Sequence, residues 1–318
     1  MKKKFNKKFI KNLFYLLILP ILGAVYLVLI SSNLITEQTW QNIFSSGEIA
    51  ETRYENNNNN SVIGDMMVHF LDVGDADCSY IKCGDVNILI DAADKEPNGK
   101  VVNYLKKQGV EKLDLVVATH PHRDHIGQMS DVLENFEVAQ FIEPEIPEEA
   151  NAVTVTYERM LEKLADKKIS ANLVSAGFST TVGDLKIEVV GPISQDSENL
   201  NNNSVVLRIT YKDVRFLFMG DAEKAEEQEI LSKNYDIRAD VLKVGHHGSA
   251  TSTTQKFLHA VSPKYAVIPV SKDKHRTRKP YVVDRLKKYC ANDIFVTGEC
   301  GNVIASTDGE NIKFEKSA

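Results

Sequence analysis

The segment His120-Pro121-His122-Arg123-Asp124-His125 constrains this chain more than any other. Three imidazoles and one carboxylate fall within six residues, directly after the apolar run Leu115-Val116-Val117-Ala118. A short continuous apolar run reads as a strand buried on both faces. Such a strand delivers the cluster to the edge of a core, which a histidine-rich surface turn would not require. On extended backbone, residues two apart point the same way, so His120 and His122 are expected to grip one cation. Asp124 and His125 then point elsewhere and can hold a second. Imidazole nitrogen and carboxylate oxygen suit zinc, and oxygen-rich versions suit manganese.

Two ions need ligands from distant parts of the chain. Asp221 ends the run Phe216-Leu217-Phe218-Met219-Gly220-Asp221, where a carboxylate can bridge both ions. His246-His247-Gly248-Ser249 follows the run Val241-Leu242-Lys243-Val244. Either alone is weak, because turns use Gly-Asp freely. Together, at strand ends downstream of the first cluster, they reinforce one another. The cysteines Cys78, Cys83, Cys290 and Cys300 form no CxxC pair and no zinc-ribbon spacing, so thiolate ligands are not expected.

The elements around these motifs predict a mixed α/β (α+β) domain. Strands are expected at Met67–Val73, Ser79–Lys82, Val86–Ile90, Leu115–Ala118, Phe141-Ile142, Leu185–Val190, Val205–Tyr211, Val214–Met219, Val241–Val244, Ala266–Val270, Ile294–Val296 and Val303–Ala305. Helices are expected at Asn98–Gln108, Ile126–Glu134, Val155–Asp166, Ala222–Ser232, Thr253–Val261 and Tyr281–Cys290. Early hairpins precede the first long helix, which argues for packed sheets with helices outside and against a regular βαβ barrel. His69 reads as strand packing, and Asp72 and Asp77 as support for the metal loops.

Hydrophobic residues at 43% and charged residues at 26% exclude a disordered chain and a multi-span membrane protein. The net charge of −6 conceals an asymmetry: six lysines and no acid lie in the first eleven residues, so the remainder carries −12. Leu13 to Ile30 is uncharged, and about 18–20 apolar residues suffice to cross a bilayer. With lysines before it, residues 1–35 read as a cytoplasmic stub and single transmembrane signal anchor, leaving the rest outside the cell. The competing reading is a cleaved signal peptide and a secreted protein. Residues 36–64, with asparagine at every position from 56 to 60, read as a flexible tether. Residues 65–318 form the globular domain.

Five stretches, in this order and spacing, resemble the metallo-β-lactamase superfamily, and within it the extracellular hydrolase domains of ComEC-type competence proteins. They are His69 to Gly74 with Asp77, His120 to Gly127, Asn202 to Leu207, Phe216 to Asp221, and Asp240 to Ser249. The resemblance implies a four-layer αββα sandwich. It implies metal ligands at His120, His122, Asp124, His125 and Asp221, and at one of His246 and His247, with His247 preferred. The usual third histidine of the wider superfamily has no counterpart, since none occurs between Asn135 and Val244. Asn202-Asn203-Ser204 stands there, leaving the first ion with the thinner ligand set.

A second feature is basic. Lys272 to Lys288 holds Lys272, Lys274, Arg276, Arg278, Lys279, Arg285, Lys287 and Lys288 against Asp273 and Asp284, following a strand and entering a helix at Pro280. In an acidic domain this is where phosphates would dock, with His275, Arg276, Arg278 and Lys279 nearest the expected contact. Asn203, Ser204 and Ser249 are further expected substrate contacts. The leading expectation is hydrolysis of phosphodiesters or nucleic acid, with Asp124 aiding catalysis and His246 or His247 protonating the leaving oxygen. The alternatives are hydrolysis of a carbonyl substrate such as a lactone or β-lactam, and a non-catalytic DNA-binding or competence-assembly module.

Overall fold

The computed structural model describes residues 64–96, 98–150, 154–290 and 292–317, with the side chains of 274–280 outside the description. The expected anchor and nearly all of the tether therefore lie outside the described residues. Among the described residues, no helix is long and apolar enough to cross a membrane.

Two large sheets form the centre. One has eight strands in the order Ile312–Ser317, Asn302–Thr307, Met66–Phe70, Ser79–Cys83, Val86–Ile90, Leu115–Val117, Phe141–Pro144 and Ala171–Val174. The other has seven, in the order Ile294–Val296, Tyr265–Ile268, Val241–Lys243, Val214–Phe218, Val206–Tyr211, Leu185–Gly191 and Ser179–Val182. Their inner faces share one core, in which Val68, Phe70, Ile88 and Val117 of the first sheet pack with Ile187, Leu207, Phe216 and Phe218 of the second. The outer face of the first sheet is covered by the helices Lys100–Lys107, Met129–Asn135 and Val155–Lys167. The helices Lys224–Ser232, Gln255–Val261 and Lys272–Tyr289 cover the second. Layering is thus helix, sheet, sheet, helix.

Both sheets are half antiparallel and half parallel, and the parallel halves decide where chemistry can sit. In the first sheet, Val86–Ile90, Leu115–Val117, Phe141–Pro144 and Ala171–Val174 run parallel. In the second, Val214–Phe218, Val241–Lys243, Tyr265–Ile268 and Ile294–Val296 do. Side chains just beyond the carboxyl ends of parallel strands gather in the crevice there. Asp91 and His120 follow two such strands in one sheet, and Asp221 and His246-His247 follow two in the other. The Val205 N–H donates to the Thr119 carbonyl at 2.8 Å and ties the two edges together.

Three expectations change. The helix expected over Ile126–Glu134 is split into Arg123–Ile126 and Met129–Asn135. The basic segment is helical from Lys272, because its lysines and arginines are good helix formers, so the helix begins well before Pro280. Strands at Ala171–Val174, Ser179–Val182 and Ile312–Ser317 were not expected; each is an edge or near-edge strand with little apolar signal. Among the four cysteines no disulfide forms.

Candidate metal centre

The fully buried strand Leu115–Val117 ends three residues before His120. His120, Pro121 and His122 lie in a loop rather than on the strand, and His122 stands as N-cap of the short helix Arg123–Ile126. The loop, not strand alternation, brings His120 Nε2 within 3.0 Å of His122 Nδ1. The helical turn that follows brings the His125 ring to 4.1 Å from that of His120, centroid to centroid, and Asp124 Oδ2 to 3.3 Å from His247 Nε2.

From the other sheet, Asp221 arrives through Gly220, whose φ is 51°. A Cβ at Gly220 would meet Ser204 Oγ at 2.9 Å and Thr119 Cβ at 3.0 Å, so glycine is required by both conformation and space. The next parallel strand leads into Gly245–Gly248, where His246 and His247 both adopt left-handed backbone at φ 47° and 49°. That conformation costs an L residue about 1–2 kcal/mol. It is held by the His246 N–H donating to the Gly220 carbonyl at 3.2 Å and by Ser252 Oγ donating to the Gly245 carbonyl at 2.7 Å. Backbone strain of this kind gathers at functional sites.

These segments meet. Asp124, His125, Asp221 and His247 offer donor atoms that all lie within 4.8 Å of one another and could hold a cation. Asp221 sits at the joint of the two ligand groups. Its Oδ1 is 3.2 Å from His125 Nε2, and its Oδ2 is 3.9 Å from His120 Nε2 and 3.7 Å from His247 Nε2. Two buried atoms identify the gap: His125 Nε2 and Asp221 Oδ1 face each other with no hydrogen-bond partner for either. Orphaned buried polar atoms are costly, and a divalent cation between them would satisfy both. The residues present therefore fit a metal.

Behind these atoms lies a layer that sequence reasoning missed in part. Asp91 Oδ2 is 2.7 Å from His125 Nδ1, and the same carboxylate accepts from Thr119 N–H at 2.9 Å and Thr119 Oγ1 at 2.8 Å. His247 Nδ1 lies 3.0 Å from the Pro269 carbonyl and 3.3 Å from Asp77 Oδ1. Such partners fix which ring nitrogen is free to coordinate. Both rings are thereby held with Nε2 towards Asp221. Asp77 also contacts Nζ of Lys243, a buried lysine that donates to the Gly220 carbonyl at 3.2 Å. Burial drives the Lys243 pKa well below its usual value. Asp72 is held within its own loop: its carboxylate accepts from the Gly74 N–H at 3.5 Å, and its backbone is bound by Asn302 and Lys100.

The electrostatics of this cluster follow from burial and charge together. Burial, with His125 nearby, pushes His120 well below its ordinary pKa, and burial also lowers His122. At His125, burial acts the same way but is outweighed by Asp221 and Asp91, which hold the imidazole well above its ordinary value. Burial would raise the two carboxylates, yet His247 and His125 hold Asp124 low, and His125 and His247 hold Asp221 low. Imidazoles and carboxylates thus crowd one buried centre, and a cation there would compete with protons for the same donor atoms.

The remaining candidates separate. His246 is half-buried at the rim, with Nδ1 2.9 Å from Glu223 Oε1 and Nε2 3.8 Å from Asp221 Oδ2. Ser249 Oγ pairs with Thr251 Oγ1 at 2.9 Å, and Thr251 Oγ1 donates to the same Glu223. Asn203 and Ser204, expected as substrate contacts, turn inward and bond the protein itself. Asn203 is fully buried and uses both ends of its amide on the backbone of Asp196. Ser204, also fully buried, accepts the Asp221 N–H at 3.0 Å and so places the carboxylate. Asn201, not singled out from the sequence, is the member of that stretch whose amide acts on His122, raising its pKa against the effect of burial. The side chains of His275, Arg276, Arg278 and Lys279 lie outside the described residues, on a helix that packs against the Gly245–Gly248 turn.

The profile of the "Metallo-beta-lactamase superfamily" matches residues 71–272, which include every residue of this cluster. "ComE operon protein 3" of Bacillus subtilis (strain 168) is 31% identical over 54% of this chain and 22% of its own length. "Recombination protein 2" of Haemophilus influenzae is 26% identical over 63% of this chain and 24% of its own length. The chain thus spans about a quarter or less of these relatives. Among solved structures, the metallo-β-lactamase fold protein YhfI from Bacillus subtilis superposes with a TM-score of 0.51. It covers 79% of this chain and 100% of its own at 11% identity, a likeness of fold alone.

Proposed function

The chain belongs to the metallo-β-lactamase superfamily, and from that premise we propose that it is a metal-dependent phosphodiesterase acting on nucleic acid. The observation that carries this reading is the convergence of Asp124, His125, Asp221 and His247, with their donor atoms within 4.8 Å. The relative named for recombination points the substrate towards nucleic acid. The basic helix Lys272–Tyr289, packed against the turn that bears His246 and His247, supports an anionic substrate over a neutral lactone or β-lactam.

Asp124, His125, Asp221 and His247 would hold one zinc or manganese ion, and His120, His122 and Asp221 a second with fewer ligands. When bound, such a cation acts as a Lewis acid and lowers the pKa of a water from about 15.7 to about 7. The chain's own residues supply the rest. Asp91, Asp77 and the Pro269 carbonyl keep the imidazoles oriented. His246, backed by Glu223 and open to solvent, is placed to donate a proton to the leaving oxygen. His247, buried and tied at Nδ1, is the ligand of the pair. The apolar segment Leu13–Ile30 behind its lysines supports a centre held at the outer face of the cell membrane.

The test is hydrolysis of bis(p-nitrophenyl) phosphate and of a labelled oligonucleotide by the full chain with added zinc or manganese. Chelator, His122→Ala and Asp124→Ala should each abolish both activities. Faster turnover of a lactone or of a β-lactam than of either phosphodiester would overturn the proposal.

A further inference from the structure

One loop beyond His247, a cleft of about 550 Å³ opens between the helix Lys272–Tyr289 and the segment that follows the histidine pair. Ala250, Gln255, Tyr281, Asp284, Arg285 and Lys288 line it. Its size suits a small organic ligand. Tyr281, Arg285 and Lys288 are spaced four and three residues apart, so they share one helix face, while Val282 and Leu286 on another face are buried in the core. Tyr281 is 70% exposed, the most solvent-open of the large apolar side chains among the described residues. Arg285 clamps the floor: its Nη1 donates to the carbonyls of Ser252 and Thr253 at 3.1 and 2.9 Å, and its Nη2 reaches the Ala250 carbonyl at 3.5 Å. The cleft is therefore rigidly joined to the turn that carries His246 and His247.

An exposed ring beside cationic side chains matches a flat aromatic group with a neighbouring anion. A phosphate alone would not use the ring, and an apolar peptide would not use the charge. Among the described lining residues Asp284 offsets one of the two cations, so the exposed ring supplies the discrimination that charge does not. We infer that this cleft is a nucleobase subsite for single-stranded nucleic acid. Tyr281 stacks on one unpaired base and Lys288 meets its phosphate, holding the strand beside the metal centre. A base within a duplex keeps its faces covered and cannot use the site. This assignment rests on the phosphodiester reading for its substrate class.

The experiment measures binding by fluorescence anisotropy with no metal added, so cleavage does not enter. The full chain is titrated with a labelled single-stranded thymidine oligonucleotide and with an abasic strand of equal length and charge. The six lysines of the first eleven residues attract both strands equally, so the comparison isolates the base. Stacking is worth about 1–3 kcal/mol per base, so the wild type should prefer the base-bearing strand by about fivefold or more. Tyr281→Ala should erase that preference and Tyr281→Trp should keep it. A preference that persists in Tyr281→Ala overturns the subsite, even in an active phosphodiesterase. Loss of the preference in Tyr281→Ala supports the subsite, even if no phosphodiester is cut, in which case the hydrolytic reading alone falls.

Discussion

Replacing Asp91 by asparagine should uncouple metal affinity from folding. The carboxylate accepts three hydrogen bonds, two from Thr119 and one from His125 Nδ1. Asparagine keeps one oxygen for the Thr119 N–H, but its amide nitrogen then faces His125. To accept from that nitrogen, Nδ1 must give up its proton, and the ring must carry it on Nε2 instead. That is the atom 3.2 Å from Asp221 Oδ1, where a cation would bind. Loss of such a supporting partner costs about 10- to 100-fold in metal affinity, or roughly 1.4–2.7 kcal/mol. Folding should suffer less. Asp91 has φ 62°, a conformation that asparagine tolerates, and the exchange weakens one charge-assisted bond, at a cost of about 1–2 kcal/mol. Asp91→Ala should be worse for stability, because alanine adds left-handed strain of about 1–2 kcal/mol and orphans the Thr119 N–H. Competition with a chromogenic zinc chelator, paired with urea denaturation, reads both quantities. An Asp91→Asn protein whose zinc affinity stays within twofold of wild type would refute the argument.

Two further perturbations test the layers around the centre. Burial raises the Glu143 carboxyl to about 7 from an ordinary 4.5, opposed by the Tyr157 hydroxyl at 3.2 Å. The unfolded chain then loses this proton first as pH rises, so stability falls between about pH 4.5 and pH 7, by roughly 3 kcal/mol in all. Glu143→Gln should therefore be more stable than wild type at pH 8 by a margin that shrinks at pH 5; urea midpoints with an equal gap at both pH values would count against it. Lys243→Met removes one partner of the buried contact with Asp77 and should destabilise by about 3 kcal/mol. A double-mutant cycle with Asp77→Asn should recover part of that loss, and strict additivity would show that the two side chains do not interact.

The cluster from His120 to His125 was legible because its donors are contiguous and follow a strand whose burial is written in an unbroken apolar run. Asp221 and the histidine pair were legible for a related reason, each closing such a run. What stayed hidden depends on register. Asp91 lies beside Thr119 because Ile90 pairs with Val117 across two parallel strands, and no periodicity within either segment announces that pairing. The available signal was an aspartate placed directly after a strand. Lys243 gave a clearer one, a single lysine inside an apolar run, which implies a buried partner without naming it. The stretch Asn202 to Ser204 was found but its neighbour Asn201 was not, since the tight turn at Leu200–Asn203 decides which amide faces the centre.

Metal stoichiometry tests the central claim most directly. The full chain, equilibrated with manganese or zinc and freed of excess, should carry at least one ion per molecule. Asp221→Ala, which removes the carboxylate between both ligand groups, should carry none while keeping its fold by circular dichroism. A folded Asp221→Ala protein that retains the wild-type complement of metal would contradict the account.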